Sequence, residues 1–417
     1  MKRLWKTILP CLSDVLGFEA VLNATDGFGI IDDPSRYKPV GWGRGGQGSR
    51  GGHRQERSFA ARNESSVYMR GDWHGGRGGR GGHGGHGNGD LRVTNSDIRN
   101  ADIITGTEQK VLNAYEERAR EMGPSFVLLC HAPSSSMIGS DLEANATQIR
   151  EMSGTPAAYV NVDGGKDYLY GVGMTLETMG KLLLEKRETI PRTVNLLGCN
   201  TIDWTEDMRQ SAVTWLADNG FRVLACWGMK ETAESLKASA AAEKNLVVSE
   251  AGLRLAKHME NEFGIPYVVG APFGCGKCRE LVELLNGTKW DKEAESTEGA
   301  SVLVIGEQLM ANAIRDALRE RGHRAVRVLS LFDMDKALME PGDAKLNSED
   351  ELKKQLNAET VRLVFGDPDL KPLMEKDARW ISLPNSGAMF AFESVAAFDM
   401  VGGKLDAWLD RELKGEE

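Results

Sequence analysis

The chain is predicted to be an α/β protein of three doubly wound, Rossmann-like parallel-sheet domains. Three observations carry that prediction. Short apolar runs such as Phe126–Cys130 and Val302–Ile305 have the composition of strands buried on both faces of a parallel sheet. Helical segments between them carry one-sided apolar spacing, as in Met310, Ala313, Ile314, Ala317 and Leu318. Strand and helix then alternate in three successive series, and 417 residues exceed one ordinary domain. The expected domains are 1–153, which holds the N-terminal segment and an insertion at 41–90, then 154–297, then 298–417 with closing helices.

In the first series a helix over 107–122 buries Leu112, Tyr115, Ala119 and Met122, and Gly123-Pro124 stops it. The strand 126–130 follows, then a small polar loop, then a helix opening after Ile138-Gly139-Ser140-Asp141. The second series predicts strands at 158–162, 194–197, 223–226, 246–249 and 267–269, with helices at 175–186, 207–219, 230–242 and 251–263. The third predicts strands at 302–306, 325–329, 361–365 and 380–383, with closing helices over 394–412. Ligands of doubly wound sheets sit outside the strands' carboxyl ends, where the winding reverses. That directs attention to the loops 130–136, 198–201, 226–229 and 305–307.

Composition excludes several classes. A formal net charge of −10 argues against a general nucleic-acid binder. No apolar run approaches the roughly 20 residues of a membrane span. The basic start Met1–Lys6 resembles a signal peptide, but its apolar stretch is broken by Lys6 and stops at Pro10, and Pro10 before Cys11 makes a poor lipoprotein site. A cytoplasmic location is therefore expected. Six scattered cysteines do not form a disulfide framework. Neither a dinucleotide fingerprint nor a Walker A sequence is present, so ATP binding by the chain itself is not expected.

The insertion 41–90 holds 18 of 48 glycines, His53, His74, His83 and His86, and Arg-Gly-Gly triplets at Arg44, Arg50, Arg77 and Arg80. So much glycine cannot bury enough apolar surface to offset chain entropy, so a mobile surface loop is expected. Metal binding through its histidines and RNA binding through its triplets are the alternatives.

Six segments in order resemble the nitrogenase component 1 family. They are Cys11 with Gly17–Leu22, Gly29–Ser35, Ala101–Val111, Ile138–Leu142, Val194–Gly198 and His258–Tyr267. The short nitrogenase-like proteins of anaerobic bacteria are more similar still. The resemblance implies an oxidoreductase subunit paired with itself or a sibling component 1-like subunit around a [4Fe–4S]-type iron–sulfur cluster. An ATP-dependent iron–sulfur reductase would supply electrons, and a small molecule or tetrapyrrole would be reduced at the subunit interface. Of the family's three cysteine positions, only Cys11 is a cysteine; the others fall near Tyr37 and Pro133. The position that anchors the large nitrogenase cofactor falls near Val248-Ser249, so dinitrogen reduction on an iron–molybdenum cofactor is not implied.

The candidate metal ligands are Cys11, Cys130, Asp33, Cys275 and Cys278. For Cys130 the alternative is a buried core thiol. For Cys275 and Cys278, the only C-x-x-C, a redox pair and incidental thiols stay open, with Lys277 and a helix N-terminus expected to favour thiolate. His131 is the candidate proton donor or a structural hydrogen-bonder. Gly164 and Lys166 are candidate ligand-binding positions or a plain turn. A non-catalytic scaffold or metallocofactor carrier, or a structural partner of a cluster-bearing sibling, is the alternative to an enzyme. Deleting residues 71–89 is expected to leave a soluble protein with unchanged circular dichroism; loss of soluble protein would refute the mobile-loop reading.

Overall fold

The computed structural model describes residues 12–33, 92–290, 299–384 and 397–414. Cys11, most of the insertion's flanks and the insertion itself lie outside the described residues. Thirteen strands form three sheets among these residues, and every strand pairing within them is parallel.

The first sheet contains β1 (Phe28–Asp32), β2 (Val93–Asn95), β3 (Val127–His131) and β4 (Ala157–Tyr159), in the order β2-β1-β3-β4. The second contains β5 (Ile190–Leu197), β6 (Arg222–Trp227), β7 (Ala242–Val247) and β8 (Tyr267–Val269), in the order β6-β5-β7-β8. The third contains β9 (Val302–Ile305), β10 (Val326–Ser330), β11 (Ala344–Lys345), β12 (Leu363–Gly366) and β13 (Arg379–Ser382), in the order β11-β10-β9-β12-β13. Each sheet starts in its interior and winds both ways. The reversals fall between β1 and β3, between β5 and β7, and between β9 and β12, where ligand crevices form in such sheets.

β1 and β3 are buried at every position and β9 likewise, as their apolar runs require. β4 differs from expectation. The strand expected to open the second series hydrogen-bonds to β3 and closes the first sheet. The helix Leu142–Ser153 between them starts where Asp141 accepts the Ala144 N–H at 2.9 Å. The helix expected over 107–122 is continuous but contains a π-helical stretch, Tyr115–Ala119. The helix expected at 175–186 begins earlier, at Tyr168, because Asp167 caps it by accepting the Tyr170 N–H. The helix expected at 230–242 is shorter, Ala233–Ala238 with a 3-10 turn, since the chain from Ala242 is drawn into β7.

The helix Asp14–Leu22, buried along its whole length, crosses the helix Tyr168–Leu183 with almost no side chain between them. A β-carbon at Gly17 would stand 2.1 Å from the Tyr168 carbonyl oxygen, and one at Gly171 would stand 1.9 Å from that of Asp14. Only glycine permits this approach. The crossing holds the N-terminal helix, which leads into β1, against the helix that leads into β5.

A further joint links the second and third sheets. Glu307, directly after β9, caps the helix Gln308–Glu320 by accepting the Met310 N–H at 2.9 Å. Its other oxygen accepts the Glu250 N–H, also at 2.9 Å, just after β7. In the third sheet's helical layer, buried Arg315 pairs with Asp343 at 2.6 Å, and Arg319 with Glu340 at 2.6 Å.

Gly171→Ala is expected to destabilise the fold by at least about 1–3 kcal/mol, the usual range for overpacking a closed contact. Urea unfolding followed by circular dichroism tests this; an unchanged midpoint would show that the two helices do not rely on this crossing.

Candidate functional site

The reversal of the first sheet lies between the carboxyl ends of β1 and β3, where Asp32 stands in register with His131. Asp32 is fully buried, and hydroxyls surround it. Its oxygens accept hydrogen bonds from Ser96 Oγ at 2.7 Å, Ser140 Oγ at 2.6 Å and, at 3.4 Å, Thr107 Oγ1. His131 Nδ1 lies 4.0 Å from Asp32 Oδ2, and 3.4 and 3.5 Å from the hydroxyls of Ser135 and Ser140. Tyr159 meets the imidazole edge-on, with ring centres 5.4 Å apart. Burial lowers the His131 pKa against the opposing pull of Asp32 and Asp163, which favours the neutral ring. The rim thus joins a neutral imidazole to a hydroxyl-bonded carboxylate, a pairing able to hold and pass a proton.

Asp33 extends the rim. Its Oδ1 accepts the Ser134 hydroxyl at 2.5 Å, its backbone N–H donates to Ser96 Oγ at 3.1 Å, and burial raises its pKa. Ser134 and Ser135 are delivered by the short helix Pro133–Ser136, which starts on a proline, where a missing N–H costs nothing.

Cys130 turns away from this rim. It is fully buried among core side chains, and burial together with Glu19, Asp14, Asp32 and Asp33 pushes its thiol well up. These surroundings favour the neutral thiol over the thiolate. At Gly164 a β-carbon would stand 2.4 Å from Pro133 Cγ, so the loop packs directly on Pro133. Lys166 is exposed, and its carbonyl accepts the Asp14 N–H at 3.0 Å. The structure therefore gathers Asp33, His131 and Gly164 at one rim, with Cys130 beneath it. Cys275 and Cys278 stand apart, on the helix Cys275–Leu285 that packs against the helix Gln308–Glu320. Among the described residues no group of three or more His, Cys, Asp or Glu side chains is placed to hold a metal ion.

A second group of ionisable residues was not singled out from sequence. At the reversals of the second and third sheets, Asp203 accepts the Tyr168 phenol at 2.6 Å and the Asn200 amide at 2.8 Å. Burial pushes Asp203 up to about 7. Glu250, beside Glu307, is likewise raised to about 7 by burial and by the Glu307 charge. Asp203, Glu307, Ser249, Trp204 and Phe273 line a cavity of about 20 Å³. That is room for about one water molecule. Ser249, at the position expected to correspond to the large-cofactor anchor, donates its hydroxyl to the Gly198 carbonyl at 2.8 Å. The loops 198–201 and 305–307 were the sequence signal for this place. Nothing local marked Tyr168 or Asp203.

Both Asp203 and Glu250 hold a proton more tightly folded than unfolded. The native state therefore carries extra protons between the ordinary carboxyl range near pH 4 and about pH 7, and stability falls as pH rises through that window. The urea midpoint is expected to be lower at pH 8 than at pH 5.5, with a smaller difference in Glu250→Gln. Equal slopes in the two proteins would remove Glu250 from this account.

Residues 74–381 match the family model described as nitrogenase component 1 type oxidoreductase. Among curated relatives, a light-independent protochlorophyllide reductase subunit of Cycas taitungensis is 26% identical over 43% of this chain and 38% of its own length. The nitrogenase iron-molybdenum cofactor biosynthesis protein NifE of Methanosarcina barkeri is 26% identical over 43% of this chain and 41% of its own. The chain thus spans about two fifths of the length of these relatives. Among solved structures, nitrogenase Cp1 at pH 6.5 superposes with a TM-score of 0.67 over 100% of this chain and 93% of that one, at 11% identity, a likeness of fold. With the family model covering about three quarters of its residues, the chain belongs to the nitrogenase component 1 type oxidoreductases.

Proposed function

We propose that this chain is a cytoplasmic component 1-like oxidoreductase subunit that pairs with itself or a sibling. In this reading an ATP-dependent iron–sulfur reductase supplies electrons, and a small molecule or tetrapyrrole is reduced at the subunit interface. Family membership supports the class. The observation that carries the reading is the rim at the first sheet's reversal, where His131 and Asp32 meet. His131 would hold the proton delivered to the reduced substrate. Asp32, fixed by Ser96, Ser140 and Thr107, would keep the imidazole oriented and stabilise it when charged.

The described residues do not by themselves fit an iron–sulfur cluster. Cys130 is a buried, neutral thiol, and the loop position beside it is Pro133, packed on Gly164. A [4Fe–4S] cluster needs four ligands, normally thiolates. The proposal assigns them to Cys11 and to thiolates of a second subunit, with Asp33 as the nearby carboxylate. Reduction of dinitrogen on an iron–molybdenum cofactor lies outside the proposal, because the position expected to anchor that cofactor is Val248-Ser249, with no thiol, and the Ser249 hydroxyl is given to the Gly198 carbonyl. The burial of Cys130 also favours a second reading, a structural or carrier subunit whose sibling holds the cluster. Among the described residues no helix is long and apolar enough to cross a membrane.

Anaerobic purification with iron and sulfide analysis tests the proposal. A brown protein with about four irons per dimer, bleached by Cys11→Ser, is the expected result. Protein that is colourless both alone and with its partner would sink it. In a cluster-bearing preparation, His131→Ala should retain the iron while losing turnover by roughly 10²–10⁴-fold, the usual worth of a positioned acid or base.

A further inference from the structure

The helix Cys275–Leu285 opens with Cys-Gly-Lys-Cys, and its two thiols differ in access: Cys275 is exposed and Cys278 is buried. Three residues apart on a helix, their Cα atoms are about 5 Å apart, inside the roughly 4.4–6.8 Å that a disulfide spans. The β-carbons of such a pair, about 5–6 Å apart, must draw in to about 3.5–4.5 Å. Closing the bond therefore tightens the first turn, which the hydrogen bond from the Cys278 N–H to the Gly274 carbonyl holds at 3.1 Å. Among the described residues the pair is not part of a group of three or more side chains placed to hold a metal ion.

The thiols also sit on a seam. Cys278 Sγ donates to the Pro272 carbonyl at 3.2 Å, and that same carbonyl accepts the Gly402 N–H at 2.9 Å. The Gly274 N–H returns to the Gly402 carbonyl at 3.1 Å, and Phe273 bridges to Val401. Cys275 faces the start of the helix Gly403–Leu413: its backbone N–H donates to Asp406 at 2.7 Å, and a β-carbon at Gly403 would come 3.2 Å from its sulfur. Phe273 lines the inner cavity and lies against Trp204, with ring centres 5.4 Å apart.

We propose that Cys275 and Cys278 form a reversible dithiol–disulfide site that exchanges with small-molecule disulfides and remodels the seam between the Pro272–Gly274 loop and the C-terminal helix. Cys275, as thiolate, attacks a disulfide RSSR. One RS⁻ leaves and takes up the proton that Cys275 lost, and a mixed disulfide forms. Cys278 then attacks the Cys275 sulfur, and a second RSH leaves with the Cys278 proton. The two protein thiols are oxidised by two electrons and RSSR is reduced to two RSH. Closing the bond withdraws the Cys278 S–H from the Pro272 carbonyl.

The electrostatics set the rate of this exchange rather than its geometry. Lys277 pairs with Glu280 and Asp316, each at 2.7 Å, so its charge does not serve the thiols. Burial and then Asp406 raise Cys275, and burial raises Cys278 to about 12. Thiols raised in this way attack slowly, so exchange is expected to quicken as pH rises, and the strain of drawing the β-carbons together keeps the bond reducible.

The test equilibrates the full chain in glutathione redox buffers, quenches with acid, alkylates free thiols and maps peptides by mass. The expected result is a two-hydrogen loss confined to the peptide carrying Cys275 and Cys278, with Cys130, Cys199 and Cys226 still alkylated. Cys278→Ser should stop at a glutathione adduct on Cys275. Hydrogen exchange should change at 272–276 and 401–406 on oxidation of the natural protein, but not in Cys278→Ser. The proposal is overturned if the natural protein accumulates a glutathione adduct with Cys278 free. It is equally overturned if the pair stays reduced in a buffer that oxidises a free dithiol standard, or if exchange at the seam does not respond.

Discussion

The close crossing of the helices Asp14–Leu22 and Tyr168–Leu183 is the contact on which the two ionisable sites depend. Gly17 and Gly171 let backbone meet backbone, and the polar groups at the crossing's edge are then satisfied in place. The Asp14 N–H donates to the Lys166 carbonyl, and Ser13 bridges to Asp167. The segment 163–168 thereby runs from one site to the other. At its start Gly164 receives Pro133 and supports the rim that carries His131. At its end Tyr168 reaches across to Asp203. A side chain inserted at the crossing would displace both ends of that segment together.

The buried charges fall into two regimes. In the third sheet's helices, carboxylates meet arginines directly, as in Arg315 with Asp343 and Arg319 with Glu340. At the strand ends of all three sheets, carboxylates are instead met by hydroxyls, amides and backbone N–H groups. Asp32 has Ser96 and Ser140, Asp203 has Tyr168 and Asn200, and Glu307 has the N–H groups of Met310 and Glu250. Dipoles compensate a buried charge less completely than a cation does, so Asp203 favours its protonated form, while Glu250 is raised by burial and by the neighbouring Glu307 charge. Groups that titrate near neutrality inside a crevice suit proton handling. The arginine-paired set suits a fixed scaffold.

Much of the fold was legible because parallel strands buried on both faces are apolar along their length, as β9 is throughout and β3 is up to His131. The same property hid which way each side chain points. In a strand without polar alternation, nothing local distinguishes the crevice side from the core side, so Cys130 was an open choice until the sheets were assembled. β4 was legible as a strand but not as a member of the first sheet, since pairing with β3 is a decision of the assembled sheet. His131, which ends β3, and Asp33, just after β1, were legible because they sit where strands meet polar loops. Tyr168, Asp203, Glu250 and Glu307 were not, being up to 139 residues apart in the chain and joined only where two sheets present their carboxyl ends together.

The sequence by itself determined the class of this protein: its apolar runs and helix spacing specify three wound sheets, and its ordered short segments specify the family. It also marked Cys275 and Cys278 as a C-x-x-C just before a helix expected at 279–285, whereas the fold starts that helix at Cys275 and puts both thiols on it. Only the tertiary structure decided what those groups face. Side-chain environment is set by contacts between distant segments, so Pro133 on Gly164, Asp406 beside Cys275 and the hydroxyls around Asp32 exist only once the chain has closed.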